Sequence, residues 1–232
     1  MKVVQFRYGV DNLGYLLHGD EFALAIDGGA AEEIMNYLSS NGLKLKFVTN
    51  THSHRDHTCG NSELLRLSGA ELINGEDLGR TTKIELEGES IRVMHTPGHT
   101  ADSVCFSCGN VLIAGDTLFN GKVGRCFTGD FRGFFQSIKR ILALPVSTVL
   151  YAGHDYVLEY LDTAAKLEPD DTFIGIYRER YNPDLVRATL EEEIRVDPFL
   201  RFNEPEIVNM LKDKGLPVGT EFDRFRSIMS LM

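Results

Sequence analysis

The sequence predicts an α/β layered domain over residues 1–160 and a mainly helical subdomain over 161–232, on two observations. As far as His154, short apolar strands interleave with amphipathic helices, the alternation of a layered α/β domain. Beyond residue 160 the apolar spacing is helical, broken by Pro and Gly, without a strand pattern as clear. A chain of 232 residues can bury the core such a domain needs.

Each element has its own signal. LGYLLHGDEFALAID reads as two apolar strands joined at Gly19-Asp20, and AAEEIMNYLSSNG as a helix with Ile34 and Leu38 inward, acids in its first turn and Gly42 at its stop. KLKFVTN is a strand, and THSHRDH begins where it ends, so that motif is expected on a loop that a strand positions. NSELLRLSG makes a short helix; KIELEGESIRVMHT makes a hairpin turning at Glu87-Gly88. SVCFSCGNVLIAGD makes another, turning at Gly109-Asn110, so Cys105 and Cys108 are hairpin residues rather than a zinc or redox pair; no second Cys/His pair accompanies them. DFRGFFQSIKRILAL is an amphipathic helix, STVLYAGH an apolar strand, and LEYLDTAAKLEP, LVRATLEEEIRV and EPEIVNMLKDKG supply the later helices.

Composition narrows the function. A formal charge of −10 with no Lys/Arg-rich face argues against a nucleic-acid partner, since phosphate binding leans on such a face. With no long apolar run and no apolar leader after Lys2, no membrane partner is expected and a cytoplasmic location is the default.

The metal-binding residue types fall at strand ends. His52, His54, Asp56 and His57 follow KFVT, His99 follows IRVMH through TPGH, Asp116 ends VLIAGD and His154 ends TVLYAGH. Active sites of α/β sheets gather at the carboxyl ends of strands, so four such ends can meet. Imidazole and carboxylate suit zinc, iron or manganese, and seven candidates suffice for two ions. A loop written H-x-H-x-D-H cannot aim all its side chains at one ion, and a carboxylate such as Asp116 can bridge two. His18 and His95 lie within strand patterns and are read as structural.

Together THSHRDH, HTPGHT at 95–100, AGDTLF at 114–119 and AGH at 152–154 resemble the metallo-β-lactamase superfamily, whose fold is a four-layer αβ/βα sandwich. The resemblance implies that His52, His54 and His99 hold one metal, that Asp56, His57 and His154 hold the other, and that Asp116 bridges them. The stretch GDTLFNGKVGRCFTGDF, the segment AGHDYVLEYLDTAAKLEPD and DPFLR at 197–201 are similar to glyoxalase II, the hydroxyacylglutathione hydrolases. That similarity implies two divalent ions, zinc first and iron or manganese as alternatives, a small-molecule acyl thioester as substrate, and attack by a hydroxide bridging the ions, oriented by Asp56.

It also implies substrate contacts at Arg125, matching a cationic residue that meets glutathione, at Tyr156, matching the tyrosine of GHEY, and at Phe127, where a tyrosine is common. The family's C-terminal Arg-and-Lys pair has no counterpart at the same spacing. EFDRFRSIMSLM offers only Arg224 and Arg226, which read equally well as solvated surface, so a thiol carrier other than glutathione stays open.

Three rivals share part of the pattern. Persulfide dioxygenases resemble THSHRDH and TPGHT but use one iron and oxygen, and usually end before a helical region like the one bearing DPFLR. Oxygen-reducing diiron members place glutamate where His54 stands. A metal-stabilised binding protein without activity ranks last, because no ligand is missing.

Overall fold

The computed structural model describes residues 1–232. In chain order, β1 (Lys2–Tyr8), β2 (Asn12–His18) and β3 (Phe22–Ile26) form an antiparallel meander; α1 (Ala31–Asn41) then crosses over to β4 (Lys44–Thr49). The one-turn α2 (Arg55–Thr58) and α3 (Asn61–Ser68) lead to β5 (Glu71–Leu72), α4 (Gly75–Leu78) and the meander β6 (Lys83–Leu86), β7 (Glu89–His95), β8 (Val104–Cys108), β9 (Val111–Gly115). A small hairpin, β10 (Leu118–Phe119) and β11 (Lys122–Val123), precedes α5 (Phe131–Leu142) and β12 (Val149–Ala152). The rest is α6 (Val157–Leu167), α7 (Thr172–Arg180), β13 (Ala188–Thr189), α8 (Leu190–Val196), α9 (Pro205–Asp213) and α10 (Glu221–Met229).

The strands make a five-stranded sheet, β1-β2-β3-β4-β5, and a six-stranded one, β13-β12-β9-β8-β7-β6. Period-two alternation sorts their side chains between two faces. Leu13, Tyr15, Leu17, Leu24 and Ile26 of the first sheet meet Val93, Val104, Phe106, Ile113 and Tyr151 of the second in a core between the sheets. The intervening Leu16, Ala23 and Ala25 face α1 and α3 through Ile34, Leu38 and Leu64. On the second sheet Met94, Cys105, Leu112, Ala114 and Leu150 face outward onto Phe134, Phe135 and Ile138 of α5 and Phe225 and Ile228 of α10. Three buried interfaces between four layers are the expected αβ/βα sandwich.

Several expectations shift. The THSHRDH motif is a loop only as far as His54, because Arg55–Thr58 close a helical turn. β1, α7 and α10 stand where no element was expected, and β13 adds a strand to the helical region. Residue 160 falls inside α6, and residues 188–189 extend the second sheet, so the stretch after 160 is built into both sheet and core. Arg224 is fastened rather than solvated: its guanidinium donates to Asn203 Oδ1 at 2.7 and 2.9 Å and to the Val218 carbonyl at 3.1 Å, while Arg226 is exposed. DPFLR is also structural, with Phe199 and Leu200 in the core and Arg201 paired with Glu168 and Glu204. No helix is long and apolar enough to cross a membrane.

Candidate metal centre

Strand direction explains the convergence. β12 runs parallel to β9, and β7 runs parallel to β9 because β8 reverses twice between them. Their carboxyl ends therefore share one edge, delivering His99, Asp116 and His154, and β4 of the facing sheet delivers His52 to His57 across the gap. All seven expected residues arrive together. The ligand atoms of His52, His54 and His99 lie within 4.8 Å of one another, as do those of Asp56, His57 and His154, while His52, His57 and Asp116 form a third such group joining the two. His18 bonds Gly19 O and Tyr37 instead, and His95 is exposed, so neither joins the cluster.

The nitrogen atoms face inward. His52 Nε2 is 2.9 Å from His54 Nδ1, which is 3.1 Å from His99 Nε2; His57 Nε2 is 3.2 Å from His154 Nε2. For four of the five imidazoles the other ring nitrogen is held from behind. His52 Nδ1 is 3.1 Å from Thr51 Oγ1, His57 Nδ1 3.1 Å from Asp27 Oδ2, His99 Nδ1 3.1 Å from the Arg125 carbonyl and His154 Nδ1 2.8 Å from Asp11 Oδ1. An oxygen behind the ring fixes tautomer and orientation, leaving the inward nitrogen with its lone pair. Asp27 is fully buried in a left-handed conformation (φ 53°), where it also accepts from the Thr51 amide and hydroxyl.

Electrostatics match a cation. Asp116 Oδ1 is buried with no hydrogen-bond partner, an orphaned acceptor aimed into the cluster. Burial opposes its charge, yet His57 and the other imidazoles hold its carboxyl down at about 2. Burial likewise disfavours a charged His57, but Asp27 and Asp116 outweigh it and push the pKa up to about 11, the mark of a position where the carboxylates demand positive charge. His52 is pushed down to about 4, chiefly by burial, which also lowers His99; both stay neutral and able to ligate. Asp56, partly exposed, is lowered against burial by the Asn12 amide, which donates to its Oδ2 at 2.9 Å. Gly153, the glycine of AGH, is needed for close approach, because a Cβ there would lie 2.1 Å from Asp116 Oδ1. An orphaned carboxylate oxygen, five converging imidazoles and neutral ring nitrogens fit divalent metal ions.

A cavity of about 320 Å³ opens beside the cluster, lined by His99, Asp116 and all three expected contacts, Arg125, Phe127 and Tyr156. Tyr156 stacks on His154 with ring centroids 4.9 Å apart, and Phe127, 61% exposed, stands at the mouth 5.1 Å from His99 with the Arg125 guanidinium 5.5 Å from its ring. Its exposure rules out core packing as the reason for that phenylalanine. Sequence reasoning missed Asp11, Asn12, Asp27, Lys122 and Tyr160. Asp27 could have been found, since like Asp116 it is an acid at the end of an apolar strand, whereas the others are defined by contacts across the chain.

The Metallo-beta-lactamase superfamily model matches residues 8–80 and 69–154. A hydroxyacylglutathione hydrolase of Chromohalobacter salexigens is 32% identical over 88% of this chain and 88% of its own length. One of Methylobacillus flagellatus is 32% identical over 94% of each. Among solved structures, ETHE1 from Myxococcus xanthus superposes with a TM-score of 0.69 at 21% identity, covering 99% of this chain and 90% of its own, a likeness of fold. The chain belongs to the metallo-beta-lactamase superfamily.

Proposed function

We propose that the protein is a metal-dependent hydrolase of acyl thioesters, of the hydroxyacylglutathione type, working with two divalent ions, zinc first among them. The observation that carries this reading is the double ligand set: two triads, His52/His54/His99 and Asp56/His57/His154, sharing Asp116 beside a cavity large enough for a small thioester. Similarity to hydroxyacylglutathione hydrolases along most of the chain supports the substrate class.

Paired divalent ions supply Lewis acidity, lowering the pKa of a water from about 15.7 to about 7 and neutralising a developing oxyanion. The chain does the rest. Asp56 Oδ2, held by Asn12 and ionised at neutral pH, orients the attacking water and accepts its hydrogen bond. Phe119, Phe127 and Tyr156 wall the carbonyl from bulk water, and Arg125 at the mouth attracts the anionic carrier. The thiolate leaves with little need of a general acid.

The test joins metal counting to turnover. Protein of measured metal content, screened against acyl-glutathione and acyl-coenzyme A thioesters, is expected to hold about two ions per chain and to release thiol. His54→Ala should lower kcat/KM by about a hundredfold or more. One iron per chain with oxygen uptake on glutathione persulfide would replace this reading with a dioxygenase.

A further inference from the structure

The cavity holds a cation with no task in the reaction as described. Lys122 lies on β11, paired across the hairpin with Phe119, and lines the cavity together with His99, Asp116 and Arg125. Its side chain is half-buried, with Nζ 4.9 Å from the centroid of Tyr160 and 5.4 Å from that of Phe199. Lys44, Lys83 and Lys139 each pair with a glutamate, whereas Lys122 has neither an ion pair nor a hydrogen bond. Burial pushes the pKa of its ammonium down, Asp197 and Glu159 pull it up, and Arg125 adds a like charge; Glu159 lines the same cavity but forms no ion pair with Lys122.

Such an ammonium is an energetic liability. Ring faces return only part of what drawing an ion out of water costs. The hairpin nevertheless holds it in place. Buried Glu193 accepts from Asn120 Nδ2 at 2.7 Å and Gly121 N at 2.6 Å, tying down the turn. Gly124 presses on the metal loop so closely that a Cβ there would lie 1.9 Å from the Asp116 carbonyl. A fixed, half-buried, unpaired cation beside a reaction centre suits an anion that arrives with the ligand.

We propose that Lys122 forms the base of an anion subsite, with Arg125 at its rim, that receives a free carboxylate of the acyl thioester and selects carboxylate-bearing thioesters over neutral ones. This rests on the thioester-hydrolase reading. A single ammonium between two rings matches a monoanion, and a carboxylate there would share one cavity with His99 and Asp116. The carboxylate comes either from the acyl chain or from the thiol carrier.

Three matched thioesters separate these sources: a neutral acyl group on a neutral thiol, a dicarboxylic acyl group on the same thiol, and the neutral acyl group on glutathione. With Lys122→Met, the ratio of kcat/KM for a carboxylate-bearing thioester to that for the neutral one should fall about 10- to 100-fold, mostly through KM. The arm in which it falls identifies the source, and Lys122→Arg should restore the ratio to within a few-fold. Ratios that hold in both arms overturn the subsite and leave Lys122 as a packed lysine. Calorimetry with S-(2-carboxyethyl)glutathione, a thioether with carboxylates on both sides, tests the subsite even if no thioester is turned over. Loss of affinity in Lys122→Met then upholds it, and equal affinities overturn it.

Discussion

Asp11 acts through a single contact, its Oδ1 at 2.8 Å from His154 Nδ1, while the adjacent Asn12 steadies Asp56 on the same side. Both serve the Asp56/His57/His154 triad and neither touches the other one. Asp11→Asn is therefore expected to weaken one of two metal sites by about 10- to 100-fold, as removal of a carboxylate behind a ligating histidine commonly does. Competition titration with a chromophoric chelator would show a biphasic curve with one phase displaced; two equally displaced phases would contradict the assignment. The seven residues of the cluster were legible because histidine and aspartate beside Gly and Thr at strand ends have few other uses. Asp11 was not, since GVDN reads as an ordinary turn until the fold carries it to His154, 143 positions away.

Elements whose periodicity was strong in the sequence match the structure: α1 ends on left-handed Gly42, and α5 buries Phe134, Phe135, Ile138 and Ile141. Those that were missed have physical reasons. β1 is an edge strand, mostly half-buried, so its sequence does not alternate cleanly; α7 carries Gly175 and has only Ile174 and Tyr177 buried. α8 hides the most consequential group, Glu193, whose side chain emerges among Asn120, Gly121 and Tyr177. Burial pushes its pKa up to about 7, against the hydrogen bonds that pull it down. The folded protein thus holds this proton more tightly than the unfolded chain does, with its ordinary value of 4.5. That stabilisation is complete below pH 4.5 and is lost as pH rises through 7. Glu193→Gln should flatten the pH dependence of Tm in this window; a variant with the wild-type slope would show that the carboxyl does not titrate there.

Across the whole molecule, the clustered residues span 52 to 154 and join both sheets, so bound metal would add a tie between layers that already meet through an apolar core and a few hydrogen bonds such as Leu13 N to the Gly153 carbonyl. Ions that bind the folded chain alone stabilise it by about 2.7 kcal/mol per site when present at a hundred times Kd. For a chain of this size that is about 5–10 °C in Tm per site, so chelation should lower Tm by at least that much and readdition restore it. An unchanged Tm would mean the centre binds nothing when folded. An α/β layered domain could be anticipated from alternating strands and helices, and its four-layer order from the family resemblance, but the placement of the last third could not, because β13 is two residues long and acquires meaning only by pairing with β12. That short strand has one more effect. A sheet ending at β12 would offer a row of unused amides and carbonyls to any other chain, the template from which edge-to-edge aggregation grows. Closing the row with two residues that run straight into α8 leaves an edge too brief to recruit another strand.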